Sequence, residues 1–208
     1  MDTKYWENIY KNGSIIKKPS LFAKFVLNKH IKDNASLIEL GCGNGRDAIF
    51  FASNNINVLA VDQCKNKISE LNSNKYKNLI FKAGDFTKLN KFGTFDNIYS
   101  RFTLHSITEK EENNLFLFVN SCLNKDGKIF IEVRGEKNGL FKVGKPVIGE
   151  INAFIYNGHF RRFLNINNIC KKLESIKLRI ISAEEKTGFA PLENEDFFFI
   201  RIVAQKNS

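Results

Sequence analysis

The sequence predicts an α/β fold: a seven-stranded, mostly parallel sheet with helices on both faces and an antiparallel hairpin at its C-terminal end. Three observations predict it. Apolar runs of strand length alternate with stretches of helical period from Ser36 onward, the pattern of successive βαβ units. A glycine cluster falls where the first run gives way to a helical stretch. The last two runs follow one another with no helix between them, which suits a hairpin.

Ahead of the sheet, residues 20–31 carry Leu21, Phe25, Val26 and Ile31 at helical spacing with Lys and Asn between them, an amphipathic helix. The first strand is SLIEL at 36–40 and the second INVLAVD at 56–62, with the helix-permissive RDAIFFASN between them. Strands three to five fit NLIFKAG at 78–84, FDNIYS at 95–100 and KIFIEVR at 128–134. Between the last two, Thr108 and Glu111 form a capping box before Leu115, Phe118, Val119 and Cys122, which recur at helical spacing. After Arg134 the periodicity lapses up to Phe163, and a loop of that length in a compact domain reads as an active-site cover. Ile166, Ile169, Cys170 and Leu173 mark a last helix, and SIKLRII at 175–181 and DFFFIRIVA at 196–204 give the final two strands.

Length and composition fit one domain over 1–208, with 1–35 a helical N-terminal cover and 135–163 an insertion over the substrate. No stretch approaches the roughly 18 apolar residues of a membrane span, and the chain opens without an apolar leader, so a cytoplasmic protein without membrane insertion is expected. The cysteines, Cys42, Cys64, Cys122 and Cys170, are scattered, which implies reduced thiols and neither a disulfide framework nor a metal site. The net charge of +10 is dispersed, and the abundance of Lys, Asn, Ile and Phe matches an AT-rich codon bias, so the charge does not by itself indicate nucleic acid.

Glu39-Leu40-Gly41-Cys42-Gly43-Asn44-Gly45-Arg46 sits where the first strand turns into a helix. Glycines allow positive φ and a close backbone approach to a bound group. A dinucleotide fingerprint needs a small residue at the sixth position of the run; here it is Arg46. The run resembles motif I of the class I S-adenosylmethionine-dependent methyltransferases, where an acid two residues before the first glycine is typical, and the predicted fold is accordingly Rossmann-like. The resemblance implies that Glu39, Gly41, Cys42, Gly43, Gly45 and Arg46 contact S-adenosylmethionine, released as S-adenosylhomocysteine. It assigns Asp62, with Gln63 beside it, to the ribose, Asp85 to the adenine amino group and Phe86 to packing on the ring. Asp96-Asn97-Ile98-Tyr99 is similar to motif IV, so the strand exit from Ser100 borders the methionine portion.

Arg101 and His105 follow the fourth strand, Arg134 ends the fifth, and Tyr156, His159, Arg161 and Arg162 lie in the insertion, all near strand carboxyl ends, the edge where open α/β sheets bind ligands. Several guanidinium forks suit an anionic acceptor, framed by Tyr156, Phe160 and Phe163. His105 and His159 are candidates to take a proton from a hydroxyl, and become hydrogen-bond donors if the acceptor is already an oxyanion. GHFRRF after EVRGEKN resembles a subgroup of small bacterial methyltransferases acting on small or capsule-precursor molecules, some linked to O-methylation of phosphoramidates. That implies a phosphate-, phosphoramidate- or carboxylate-bearing acceptor, O-methylation in capsule or surface-polysaccharide precursor biosynthesis, and a monomer or homodimer. Three other functions compete. A nucleic-acid methyltransferase lacks support in a motif IV without paired prolines, an NAD-dependent oxidoreductase is disfavoured by Arg46, and a non-catalytic S-adenosylmethionine-binding regulatory protein would keep the same glycines and acids.

Overall fold

The computed structural model describes residues 3–12, 17–73, 75–89 and 93–207. Two helices lead in, α1 (Thr3–Asn12) and α2 (Leu21–His30), the second started by the Ser20 hydroxyl accepting from the Ala23 N–H at 3.0 Å. Then strand and helix alternate: β1 (Ser36–Leu40), α3 (Arg46–Ser53), β2 (Asn57–Asp62), α4 (Lys65–Leu71), β3 (Leu79–Ala83) and β4 (Phe95–Arg101). A 3₁₀ turn at Leu104–Ser106 leads to α5 (Glu109–Cys122), which starts on the Thr108–Glu111 capping box foreseen in the sequence. β5 (Leu123–Val133), three short strands β6 (Lys145–Pro146), β7 (Ala153–Tyr156) and β8 (His159–Arg162), α6 (Ile166–Ser175), β9 (Leu178–Lys186) and β10 (Phe199–Lys206) complete the chain.

The seven long strands form one sheet in the order β3-β2-β1-β4-β5-β10-β9. Only β10 runs against its neighbours, pairing antiparallel with both β5 and β9. Alternate residues of each strand feed opposite faces. On one face Ile38, Ile98, Ile131 and Ile202 pack beneath Leu115 and Val119 of α5 and Ile169 and Leu173 of α6. On the other, Leu37, Ala60, Tyr99 and Phe130 pack beneath Phe22 and Val26 of α2 and Ala48 and Phe51 of α3. Strand order reverses direction between β1 and β4, which opens a crevice at their carboxyl ends.

The segment 135–163 departs from the expected loop. It holds the separate three-stranded antiparallel sheet β6-β7-β8, whose strands of two to four residues are too short to register as a period of two. The signal present was Asn157-Gly158, the central pair of the β7–β8 hairpin, with φ of 51° and 70°; Asn-Gly is the pair that a type I′ turn favours. Phe154 of β7 packs with Phe141 and Phe163 at centroid distances of 6.0 and 6.1 Å, so the insertion has a small apolar centre of its own. Among the described residues no helix is long and apolar enough to cross a membrane.

Candidate active site

The loop 41–45 turns from β1 into α3 through three left-handed glycines, Gly41, Gly43 and Gly45, with φ of 76°, 54° and 74°. A Cβ on Gly41 would overlap the Thr103 side chain, on Gly43 the Tyr10 hydroxyl, and on Gly45 the Phe81 ring. The loop is pinned at both ends. Gly41 and Cys42 N–H groups donate to the Val61 carbonyl at 2.8 and 3.0 Å, and the Gly43 N–H donates to Asp62 Oδ2 at 2.8 Å. The other oxygen of Asp62 accepts the Cys64 N–H at 2.9 Å, so one carboxylate at the tip of β2 joins the two loops that border the crevice.

This crevice is a cavity of about 280 Å³. It takes Glu39, Gly41, Cys42, Gly43, Arg46, Asp62, Gln63 and Phe86 from the expected donor set, with Phe102, Thr103 and Ser106 beyond β4 and Trp6, Ile9 and Tyr10 of α1. Gly45, Asp85 and Ser100 do not line it. Gly45 backs onto Phe81. The Asp85 carboxylate accepts the Thr87 N–H and hydroxyl at 2.9 and 2.6 Å and pairs with Lys88 at 3.3 Å, capping its own 3₁₀ turn. Burial works to raise its pKa, but these bonds prevail and hold it below the ordinary carboxylate value. Ser100 is buried and bonded to the Thr103 hydroxyl. Asp96 starts β4 at the opposite end of the strand, where it accepts the Ser36 N–H and hydroxyl at 2.9 and 2.8 Å and ties β1 to β4. Its role in the motif IV-like run is therefore structural.

Glu39 is buried, and among the described residues its Oε2 has no hydrogen-bond partner. Burial, then the nearby Asp47 and Asp62, push its pKa well above the ordinary value, against the pull of Arg101 and Arg46. Asp47 is spoken for: it accepts the Ser20 N–H and hydroxyl at 2.7 Å each and the Tyr99 hydroxyl at 2.9 Å. Arg101, expected among the acceptor ligands, lines the same crevice as Glu39. Its Nε donates to Glu132 Oε1 at 2.8 Å, while Arg201 Nε donates to Glu132 Oε2 at 2.6 Å. Phe102 next to it is left-handed at φ 59°, a conformation a bulky residue holds only when its surroundings enforce it. Its ring lies 3.9 Å from the Arg101 guanidinium and stacks on Phe199 at 4.9 Å.

Past the crevice, His105, Arg134, His159 and Arg161 come together from the turn after β4, the end of β5 and strand β8. His105 is buried with Nδ1 unpartnered, and burial followed by Arg134, His159, Arg161 and Arg101 drives its pKa well below 6.5. Arg134 donates Nη1 to Asn138 Oδ1 at 3.0 Å and lies 5.0 Å from the Phe199 ring, while its buried Nε has no partner. Burial and then Arg161 push its pKa down to about 10, against an opposing pull from Glu195. Among the described residues Arg161 Nη1 donates only to the Tyr156 carbonyl, at 3.3 Å. His159 is buried and stacks on Tyr5 at 4.1 Å, with Trp6 edge-on at 5.1 Å.

Two expectations are corrected here. Arg162 is buried against Glu112 of α5, which also pairs with Lys172 at 2.6 Å; the alternation of a strand sends it to the face opposite Arg161. Tyr156 is exposed at the hairpin end and contributes a carbonyl rather than a frame to the cluster. Tyr5-Trp6 lent the family resemblance looser support in the sequence without a place in the site, and Tyr10 was not singled out; the four-residue spacing of Trp6 and Tyr10 puts both on the crevice side of α1. Tyr10 is held neutral there by burial and by Asp62.

Residues 31–146 match a family model described as a methyltransferase domain. No curated protein matches the sequence. Among solved structures, 1,6-didemethyltoxoflavin-N1-methyltransferase of Burkholderia thailandensis, crystallised with 1,6-didemethyltoxoflavin and S-adenosylhomocysteine, superposes with a TM-score of 0.76 at 17% identity, covering 99% of this chain and 87% of that one. A S-adenosylmethionine-dependent methyltransferase of Methanosarcina mazei gives 0.74 at 16% identity over 88% of this chain and 97% of its own. A glycopeptide N-methyltransferase complexed with S-adenosylmethionine gives 0.70 at 13% identity, covering 96% and 91%. At these identities the likeness is one of fold.

Proposed function

The chain belongs to the methyltransferase-domain family, and on that premise we propose that it transfers the methyl group of S-adenosylmethionine to a small anionic acceptor, releasing S-adenosylhomocysteine. The residues of the crevice fit this donor. Left-handed glycines leave the loop surface open, the Glu39 oxygen without a partner can take the donor's ammonium, and Asp62 and Gln63 stand where hydroxyls of a ribose can be received, with Phe86 as an apolar wall. When bound, the donor would supply an activated methyl on a sulfonium, whose carbon an in-line nucleophile takes while the sulfur leaves as the thioether with the bonding pair. The protein's part is alignment and exclusion of water, and Trp6 and Tyr10 of α1 cover the crevice for the second purpose.

The acceptor reading rests on one observation: His105, Arg134 and Arg161 converge, His105 Nδ1 and Arg134 Nε are buried and unmatched among the described residues, and Glu195 is the carboxylate that acts on Arg134. Such a set lacks an anion. Arg134 and Arg161 hold the acceptor's charge, and His105, neutral in this surrounding, takes a proton from a hydroxyl or donates to an oxyanion. His159, fixed between Tyr5 and Trp6, orients the acceptor from the insertion, so 135–163 and the helical cover 1–35 shape the acceptor side and the donor side of one active site. The resemblance of GHFRRF to small bacterial enzymes extends the reading to O-methylation of a phosphate-, phosphoramidate- or carboxylate-bearing precursor of capsule or surface polysaccharide, by a cytoplasmic monomer or homodimer.

Calorimetry with S-adenosylhomocysteine tests the donor, and transfer of labelled methyl to a panel of small phosphates and carboxylic acids tests the acceptor. Arg161→Ala and Arg134→Ala are expected to raise acceptor KM about ten-fold or more and to leave S-adenosylhomocysteine affinity unchanged. Methylation of neutral acceptors only, with both variants behaving as wild type, overturns the anionic reading.

A further inference from the structure

Arg101 has the sequence position of an acceptor ligand and the surroundings of a donor ligand. It lines the crevice together with Glu39, Asp62 and the glycine loop. Its Nε is used by Glu132, and among the described residues its two terminal nitrogens make no hydrogen bond. Glu132 fixes the fork from behind: buried to 1% exposure, it also receives Arg201, whose guanidinium lies 4.1 Å from the Phe189 ring and 5.1 Å from the Phe22 ring. One carboxylate thus serves two guanidinium groups, of which Arg101 lines the crevice. Arg46, at the start of α3, lines the same crevice and has Asp47 only at 4.0 Å, an acid already saturated by Ser20 and Tyr99. The two guanidinium groups are near enough to repel, which lowers the proton affinity of Arg46 after the larger effect of burial. The same crevice is lined by Glu39, whose Oε2 has no partner among the described residues and whose charge both arginines favour.

A crevice lined by an acid with an open oxygen and by two arginines suits a zwitterion. We propose that Arg101, with Arg46, holds the α-carboxylate of the donor's amino-acid end, so that Arg101 is a donor-specificity residue and Glu132 positions it. The inference rests on the donor reading above and assigns a residue within it. A planar fork is required, because one edge is bound to Glu132 while the other must meet a carboxylate; a lysine ammonium cannot serve both.

Decarboxylated S-adenosylmethionine isolates the contact, since it keeps the sulfonium, the amine and the nucleoside and lacks only the carboxylate. Binding of S-adenosylmethionine and of this analogue is measured by calorimetry on wild type, Arg101→Ala and Arg101→Lys, with melting curves to confirm folding. Wild type is expected to prefer S-adenosylmethionine by about ten- to a hundred-fold, the size of one charge-assisted pair. Both variants are expected to lose most of that preference through weaker binding of S-adenosylmethionine, with affinity for the analogue unchanged. Equal loss for both ligands, or retained preference in the variants, overturns the clamp and leaves the donor reading standing. Arg101→Lys supplies the answer if Arg101→Ala does not fold. Wild type that binds neither compound overturns both.

Discussion

Arg162 and Arg161 are neighbours in sequence with opposite fates. Arg162 is buried against Glu112, with Lys172 completing the group, whereas Arg161 bonds a carbonyl at the hairpin end. Removing one partner of a buried pair leaves the other charge in low dielectric, at a cost of about 3 kcal/mol. Arg162→Ala is therefore expected to lower the urea midpoint clearly while leaving acceptor KM near wild type once folded, the reverse of the pattern expected for Arg161→Ala. Asp62 lines the crevice and also ties its two loops together, so the proposed donor contact and a structural role meet in one side chain. Because it receives the Gly43 and Cys64 N–H groups, Asp62→Ala is expected to weaken S-adenosylhomocysteine binding by about ten-fold or more and to loosen both loops, read as faster amide exchange at Gly43 and Cys64. Slow exchange at both amides in the variant would show that the carboxylate does not hold them.

The elements that carry long periodic signals were legible: β1 is SLIEL as expected, and α5 starts on its capping box. What escaped was short or defined by tertiary contact. β7 and β8 each span four residues, and α4 has seven with only Lys67 and Ile68 buried, so neither displays a full hydrophobic stripe. For the site, the glycine loop and the acids at strand tips could be placed, because backbone conformation and strand ends are written locally. Which arginine met which carboxylate could not, since Glu132 and Glu112 come from elements tens of residues away. The hairpin carries a test of its own. Gly158 stands at φ 70°, where a β-branched residue is strained by roughly 1–2 kcal/mol. Gly158→Val is expected to raise acceptor KM severalfold by shifting His159 and Arg161, with S-adenosylhomocysteine affinity unchanged; an equal loss of both would mean that β7–β8 also supports the donor crevice.

At the scale of the whole molecule, the proposed active site lowers the stability of the fold that holds it. Glu39 has a pKa raised above its unfolded value, so the folded state binds the extra proton. That contribution is complete below the ordinary carboxylate range near 4.5 and is lost as pH rises through the higher folded value. His105 acts in the opposite sense: its folded pKa lies below 6.5, so the stability associated with its neutral form is present above 6.5 and declines as pH falls. Glu39→Gln removes the first effect alone. It is expected to raise the melting temperature of the ligand-free protein more at pH 8 than at pH 5, and to weaken S-adenosylhomocysteine binding at pH 8 because the donor's ammonium loses its carboxylate. Opposite signs for stability and affinity are the signature of a group held against the preference of the fold for the sake of its ligand. A variant that gains no stability at pH 8 would place the Glu39 charge in contact with water and remove it from the donor site.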